Sequence, residues 1–135
     1  MKQLNTILLI DDDETTNYLN QRLLSRMNAA ETIRVVTNGE EALDYFRKAF
    51  AGTQDYPCPD LTFVDIKMSV MDGFEFLEEY QKFDKADKDR IVMMMLTSSA
   101  SFYDLEKLKQ FPEVLKHYSK PLTEADVREI IEEHF

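Results

Sequence analysis

Five times along the chain a short apolar run gives way to a longer segment of helical periodicity. The runs cover residues 6–10, 32–36, 61–64, 91–96 and 114–118, so successive runs begin 23 to 30 residues apart. Apolar runs such as 6–10 read as strands buried on both faces, and 32–36 and 114–118, which carry Arg34 and Lys116-His117, read as strands as well. The segments between them read as amphipathic helices. The first, over 14–28, repeats Leu19, Leu23 and Met27 at four-residue spacing, with Tyr18 and Leu24 beside them. The second, over 40–50, buries Ala42, Leu43, Phe46, Ala49 and Phe50, and the third, over 72–82, turns Phe74, Leu77 and Tyr80 inward. A weaker fourth pattern carries Phe102, Leu105 and Leu108 and is stopped by Pro112. The last helix opens on a capping box, Thr123-Glu124-Ala125-Asp126, and presents Val127, Ile130 and Ile131. Asn38-Gly39 marks a turn, 52–59 a loop and 84–89 a solvated charged turn.

Strand and helix alternating in this way dictate a parallel sheet with helices on both faces, wound by right-handed crossovers. The expected fold is α/β: a doubly wound (βα)5 three-layer sandwich of flavodoxin-like type, with a five-stranded parallel sheet of order 2-1-3-4-5. At 135 residues the chain suits one domain, and residues 1–135 are expected to form it. A net charge of −10 argues against a nucleic-acid surface and against an anionic membrane surface, and it suits a divalent cation or a basic partner. The one cysteine, Cys58 between Pro57 and Pro59, provides no disulfide framework and no zinc cluster. The longest apolar run, 91–96, is too short to cross a bilayer, and residues 1–5 lack the apolar core of a secretion signal. A reducing, cytoplasmic setting fits.

Order 2-1-3-4-5 makes strands 1 and 3 neighbours at the point where the winding reverses, and ligands bind there, outside the carboxyl ends of the strands. Those ends carry Asp11-Asp12 and Asp65. Three clustered carboxylates repel one another unless a cation sits among them, and hard oxygen donors in this number suit Mg2+. Asp13 and Glu14, by contrast, fit the acidic first turn of a helix. The fourth strand ends at Thr97, followed by Ser98 and Ser99; the Thr97 hydroxyl can donate to a phosphoryl oxygen. The fifth leads through Ser119 to Lys120, whose compact ammonium suits phosphate or carboxylate.

Asp11-Asp12, Asp65 within Val-Asp-Ile-Lys-Met-Ser-Val-Met-Asp-Gly, Thr97 and Lys120-Pro121 together resemble the receiver domain of two-component response regulators, in its stand-alone, chemotaxis-regulator-like form. The resemblance covers nearly the whole chain and includes Phe111-Pro112-Glu113-Val114. It implies that Asp65 accepts a phosphoryl group from a sensor histidine kinase or a histidine phosphotransfer protein. It implies Mg2+ held by the Asp12 and Asp65 carboxylates and the backbone carbonyl of Lys67, with Asp11 acting through water. Lys120 would pair with Asp65 or its phosphoryl group, and Thr97 would hydrogen-bond that group after transfer. A cis Lys120-Pro121 bond is also implied. The signal would be a change of shape at the face formed by the fourth helix, fifth strand and fifth helix, with Phe102, Tyr103 and Tyr118 as contacts for a downstream protein. Two positions depart from the pattern. Ser69 stands where proline is usual, so the loop after Asp65 is freer. His117 stands where an aromatic switch residue is usual, with Tyr118 beside it.

Two other readings compete. An aspartate-nucleophile phosphohydrolase would use a similar covalent step, but it carries a second aspartate two residues after the nucleophile, where this chain has Lys67. An unphosphorylated interaction module would not need the complete set of site residues. The expectation is therefore a phosphoacceptor signalling protein, not an enzyme, with no nucleic-acid or membrane partner.

Overall fold

The computed structural model describes residues 1–98 and 100–135; Ser99, expected just after the fourth strand, lies outside the described residues. Five strands form one parallel sheet: β1 (Leu4–Ile10), β2 (Ala30–Val36), β3 (Leu61–Val64), β4 (Val92–Thr97) and β5 (Val114–Ser119). Their order is β2-β1-β3-β4-β5, the doubly wound order expected from the alternation. Among the described residues six helices surround it: α1 (Glu14–Arg26), α2 (Gly39–Phe50), α3 (Gly73–Tyr80), α4 (Lys85–Lys88), α5 (Phe102–Leu108) and α6 (Glu124–His134). The short α4 occupies the stretch expected to be only a charged turn.

Each face of the sheet has its own core, because neighbouring residues of a strand point to opposite sides. Leu8 and Ile10 of β1, Val64 of β3 and Met93 and Met95 of β4 pack with Leu43 and Phe46 of α2 and Phe76, Leu77 and Tyr80 of α3. Ile7 and Leu9, Leu61 and Phe63, and Met94 and Leu96 pack on the other side with Leu23 and Leu24 of α1 and Val127, Ile130 and Ile131 of α6. Phe46 is the hub of the first core; its ring centroid lies 5.1 Å from that of Tyr80 and 6.0 Å from that of Phe76, within the range of favourable aromatic pairs.

Two expectations about side-chain direction fail. Tyr18 is 59% exposed and Leu19 also faces solvent. The buried stripe of α1 is Thr16, Asn17, Asn20, Leu23 and Leu24. At about 100° per residue, Tyr18 lies almost half a turn from the centre of that stripe. Phe102 is 79% exposed, open to the surface contact expected of it and off the face that Leu105 and Leu108 share. Three-residue steps drift backwards round a helix, so only Leu105 and Leu108 of that series stay against the body of the protein. Phe76, fully buried, widens the inward stripe of α3 beyond Phe74, Leu77 and Tyr80.

The strand β5 carries one extra residue, since Met93 and Met95 of β4 stand opposite Val114 and His117. The irregularity reverses the alternation. Val114 joins the α2–α3 core, whereas Tyr118, four residues on, joins the α1–α6 core.

Candidate functional site

The register brings the acidic residues together. Ile10 is level with Val64, so the next residues, Asp11 and Asp65, emerge side by side from β1 and β3. The Asp65 N–H donates to the Ile10 carbonyl at 3.0 Å, fixing this alignment beyond the ladder itself. On the far side Thr97 is level with Ser119, so Lys120 follows directly. Its N–H donates to the Thr97 carbonyl at 3.0 Å, and the Lys120-Pro121 bond is cis, as expected. Thr97 itself is buried at the end of β4.

Asp11 and Asp65 are 4% and 5% exposed, which a carboxylate tolerates only with partners. The Lys120 ammonium supplies one to each, at 2.7 Å from Asp11 Oδ2 and 2.9 Å from Asp65 Oδ2. The remaining oxygens accept backbone N–H groups: Asp13 to Asp11 Oδ1 at 2.9 Å and Ile66 to Asp65 Oδ1 at 2.8 Å. Asp12 is exposed, and its Oδ2 accepts the Ser69 N–H at 3.1 Å. Burial pushes the Asp11 carboxyl above its ordinary value; the Lys120 and Asp13 contacts oppose the rise, and the Asp65 charge adds to it. Burial pulls the Lys120 ammonium the other way, but its two carboxylates outweigh this and its pKa stands above the usual lysine value. Asp13 is the N-cap of α1, accepting from Thr15 N–H and the Thr16 hydroxyl; the Thr16 contact leads in lowering its pKa. It is a helix cap, as expected, and not part of the cluster.

One ligand oxygen from each of Asp11, Asp12 and Asp65 falls within 4.8 Å of the others. Three carboxylates against one ammonium leave this crevice with a formal charge of −2. An all-oxygen donor set with that deficit fits a small divalent cation.

The loop from Asp65 to α3 is fastened at several points. The Gly73 N–H donates to the Ile66 carbonyl at 2.7 Å, and α3 starts on a capping box made by Asp72 and Glu75. Met71 N–H donates to the Ser69 carbonyl at 2.8 Å, closing a γ-turn on Val70 at φ 69°. That is the strained mirror form of the turn, and a β-branched residue rarely occupies it. The Met71 carbonyl in turn accepts the Gly39 N–H at 2.9 Å, tying the loop to the start of α2.

Two supporting residues escaped the sequence analysis. Asn17 donates through Nδ2 to the Asp11 carbonyl at 2.8 Å, and Asn20 accepts the Leu122 N–H at 3.1 Å. They lie on the same face of α1 as Leu24; polar residues on an apolar stripe were the signal available. On β5, His117 is exposed at the rim of a groove of roughly 300 Å³ with Leu105, Leu108 and Val114. Tyr118 is buried and donates its hydroxyl to Glu129 at 3.0 Å. Burial and the Glu129 contact raise its pKa. The expectation that Tyr118 offers a surface contact is therefore corrected: its body belongs to the α1–α6 core.

The family model described as response regulator receiver domain matches residues 7–132. A probable methanogenesis regulatory protein, FilR2, of Methanothrix harundinacea is 28% identical over 127 residues, covering 94% of this chain and 79% of that protein. A hybrid signal transduction histidine kinase of Dictyostelium discoideum is 28% identical over 136 residues, covering 98% of this chain but only 7% of that protein. The crystal structure of a two-component response regulator from Cytophaga hutchinsonii superposes with a TM-score of 0.85 at 26% identity, covering 98% of this chain and 97% of that one. Among the described residues no helix is long and apolar enough to cross a membrane.

Proposed function

We infer, for a chain that belongs to the response regulator receiver domain family, that Asp65 accepts a phosphoryl group from the phosphohistidine of a sensor histidine kinase or a histidine phosphotransfer protein. The observation that carries this is a buried carboxylate at the end of the central strand β3, 2.9 Å from the Lys120 ammonium and among two further carboxylates. An Asp65 oxygen attacks phosphorus, the phosphorus–nitrogen bond breaks, and its electron pair leaves with the imidazole nitrogen. Such a transfer asks for in-line positioning and charge neutralisation more than for proton movement. Lys120 is already in contact with Asp65 and can follow the new negative charge. Thr97, one strand away, can donate its hydroxyl to a phosphoryl oxygen. Mg2+ held by Asp12, Asp65 and the Lys67 carbonyl, with Asp11 through water, would neutralise charge on the transferring group.

Residues 1–135 act in this proposal as one receiver domain of the cytoplasm, catalysing only its own phosphorylation and dephosphorylation. The output is a change of shape at α5, β5 and α6, where His117 borders the groove beside Leu105 and Leu108. The switch pair in this proposal is Thr97, buried beside the site, and His117, exposed at that surface.

Incubation with acetyl phosphate and Mg2+ tests the acceptor. The wild-type protein should gain the mass of one phosphoryl group, located at Asp65 by borohydride trapping and peptide mapping. Asp65→Asn should gain nothing. Equal labelling of the two proteins rules the assignment out.

A further inference from the structure

Asp12 differs from its two neighbours in how it is held. Asp11 and Asp65 are buried, and each contacts Lys120 and a backbone N–H of its own loop. Asp12 is exposed, and its contact comes from 57 positions away, the N–H of Ser69 at 3.1 Å. We propose that the Ser69 backbone N–H is a positioning donor for Asp12, aiming this carboxylate into the crevice for the divalent cation; this rests on the metal site assigned above.

The carboxylate geometry supports the role. Asp12 accepts the Ser69 N–H through Oδ2, and the same carboxylate offers an oxygen within 4.8 Å of ligand oxygens of Asp11 and Asp65. An exposed aspartate samples several rotamers, and a donor fixed in the opposite loop selects one before the cation arrives. Carboxylates that bind metals are commonly held by such outer hydrogen bonds, and losing one typically weakens metal binding 10- to 100-fold. The donor is itself aimed. Ser69 opens the γ-turn on Val70, and that turn is tied through the Met71 carbonyl to Gly39 at the start of α2. A backbone conformation strained at Val70 persists because its surroundings determine it, and here it holds in place the segment that carries Ser69. The side chain of residue 69 matters in one respect only. Any residue but proline has this N–H, and proline does not. Serine at this position, where proline is usual in the family, therefore adds a donor that the usual residue lacks.

Mg2+ titration, followed by calorimetry without any phosphodonor, separates the N–H from the hydroxyl. Ser69→Ala keeps the N–H and should bind Mg2+ as wild type does. Ser69→Pro removes it and should bind about tenfold more weakly. Binding by Ser69→Pro as tight as wild type, or tighter, overturns the proposal. Amide hydrogen exchange gives a second test on the unaltered fold. The Ser69 N–H should be protected in the wild type both without and with Mg2+, and should lose protection in Asp12→Ala. Loss of protection on adding Mg2+ would show that the amide competes with the cation, and it too overturns the proposal. If the wild type binds no Mg2+ at all, the metal site fails and this role falls with it. If the wild type and Ser69→Pro bind alike, the site stands and only the role of Ser69 is lost.

Discussion

Gly73→Ala should destabilise the protein by about 3 kcal/mol or more, above the usual range for a surface helix position. Gly73 is the first residue of α3, where alanine would otherwise be favoured. A methyl group there would fall on the carbonyl oxygen of Asp65, with the carbonyl carbon of Asp65 and the Cα of Ile66 only 3.0 Å away. All three atoms are backbone at the end of β3 and cannot turn aside as a side chain would. The strand end, the Gly73–Ile66 hydrogen bond and Asp65 would have to move together. Urea unfolding of Gly73→Ala measures the loss, and Mg2+ binding should weaken in parallel because Asp65 is displaced. A midpoint equal to that of wild type would show that the loop yields at no cost.

Lys120→Met should cost a comparable amount near neutral pH, about 3–5 kcal/mol, because it strands two buried carboxylates. The sign of its pH dependence follows from Asp11. Burial already holds this carboxyl above its ordinary value, against the opposing contact of Lys120. A group whose pKa is raised in the fold binds its proton more tightly folded than unfolded, so stability rises as pH falls through the folded value toward the unfolded one. Removing Lys120 takes away an influence that lowers Asp11 and lifts it further. The deficit of Lys120→Met should therefore be greatest where Asp11 is ionised and shrink as pH falls through its raised folded value. Mg2+ should restore part of it by mass action, and by more than it stabilises wild type. Denaturation at several pH values checks this; a deficit independent of pH would mean that water, and not burial, surrounds the pair.

Much of the fold was legible in the sequence because parallel strands covered on both faces must be continuous apolar runs, and helices crossing back over them must be amphipathic. The candidate site was legible because each strand ends on a chemically distinctive side chain, at Asp11, Asp65 and Thr97, or leads to one at Lys120, and the sheet aligns those ends. What escaped has common physical causes. Tyr18 and Leu19 were apolar residues counted at spacings that drift round the helix, so composition was right and phase was wrong. Asn17 and Asn20 are buried because the Asp11 carbonyl and the Leu122 N–H need partners, a demand that arises only once the chain is folded. The extra residue in β5, which separates the directions of His117 and Tyr118, has no signature in an edge strand that is half polar. The donor to Asp12 is a backbone N–H, and side-chain patterns carry no trace of it.

The placement of Asp65 also sets what can respond to it. The strand β3 is four residues long, all of them buried, with β1 and β4 on its flanks and a core against each face. Its amides should be among the slowest to exchange with solvent. A charge added at the tip of such a strand presses on an anvil: the strand does not give, and the work is done on whatever rests against it. What is left to respond is the rim, where Phe102, Tyr103 and His117 are exposed. Modification of Asp65 should thus leave the frame of the domain unchanged while redirecting its rim, which is the behaviour required of a part that is read by contact rather than by shape as a whole.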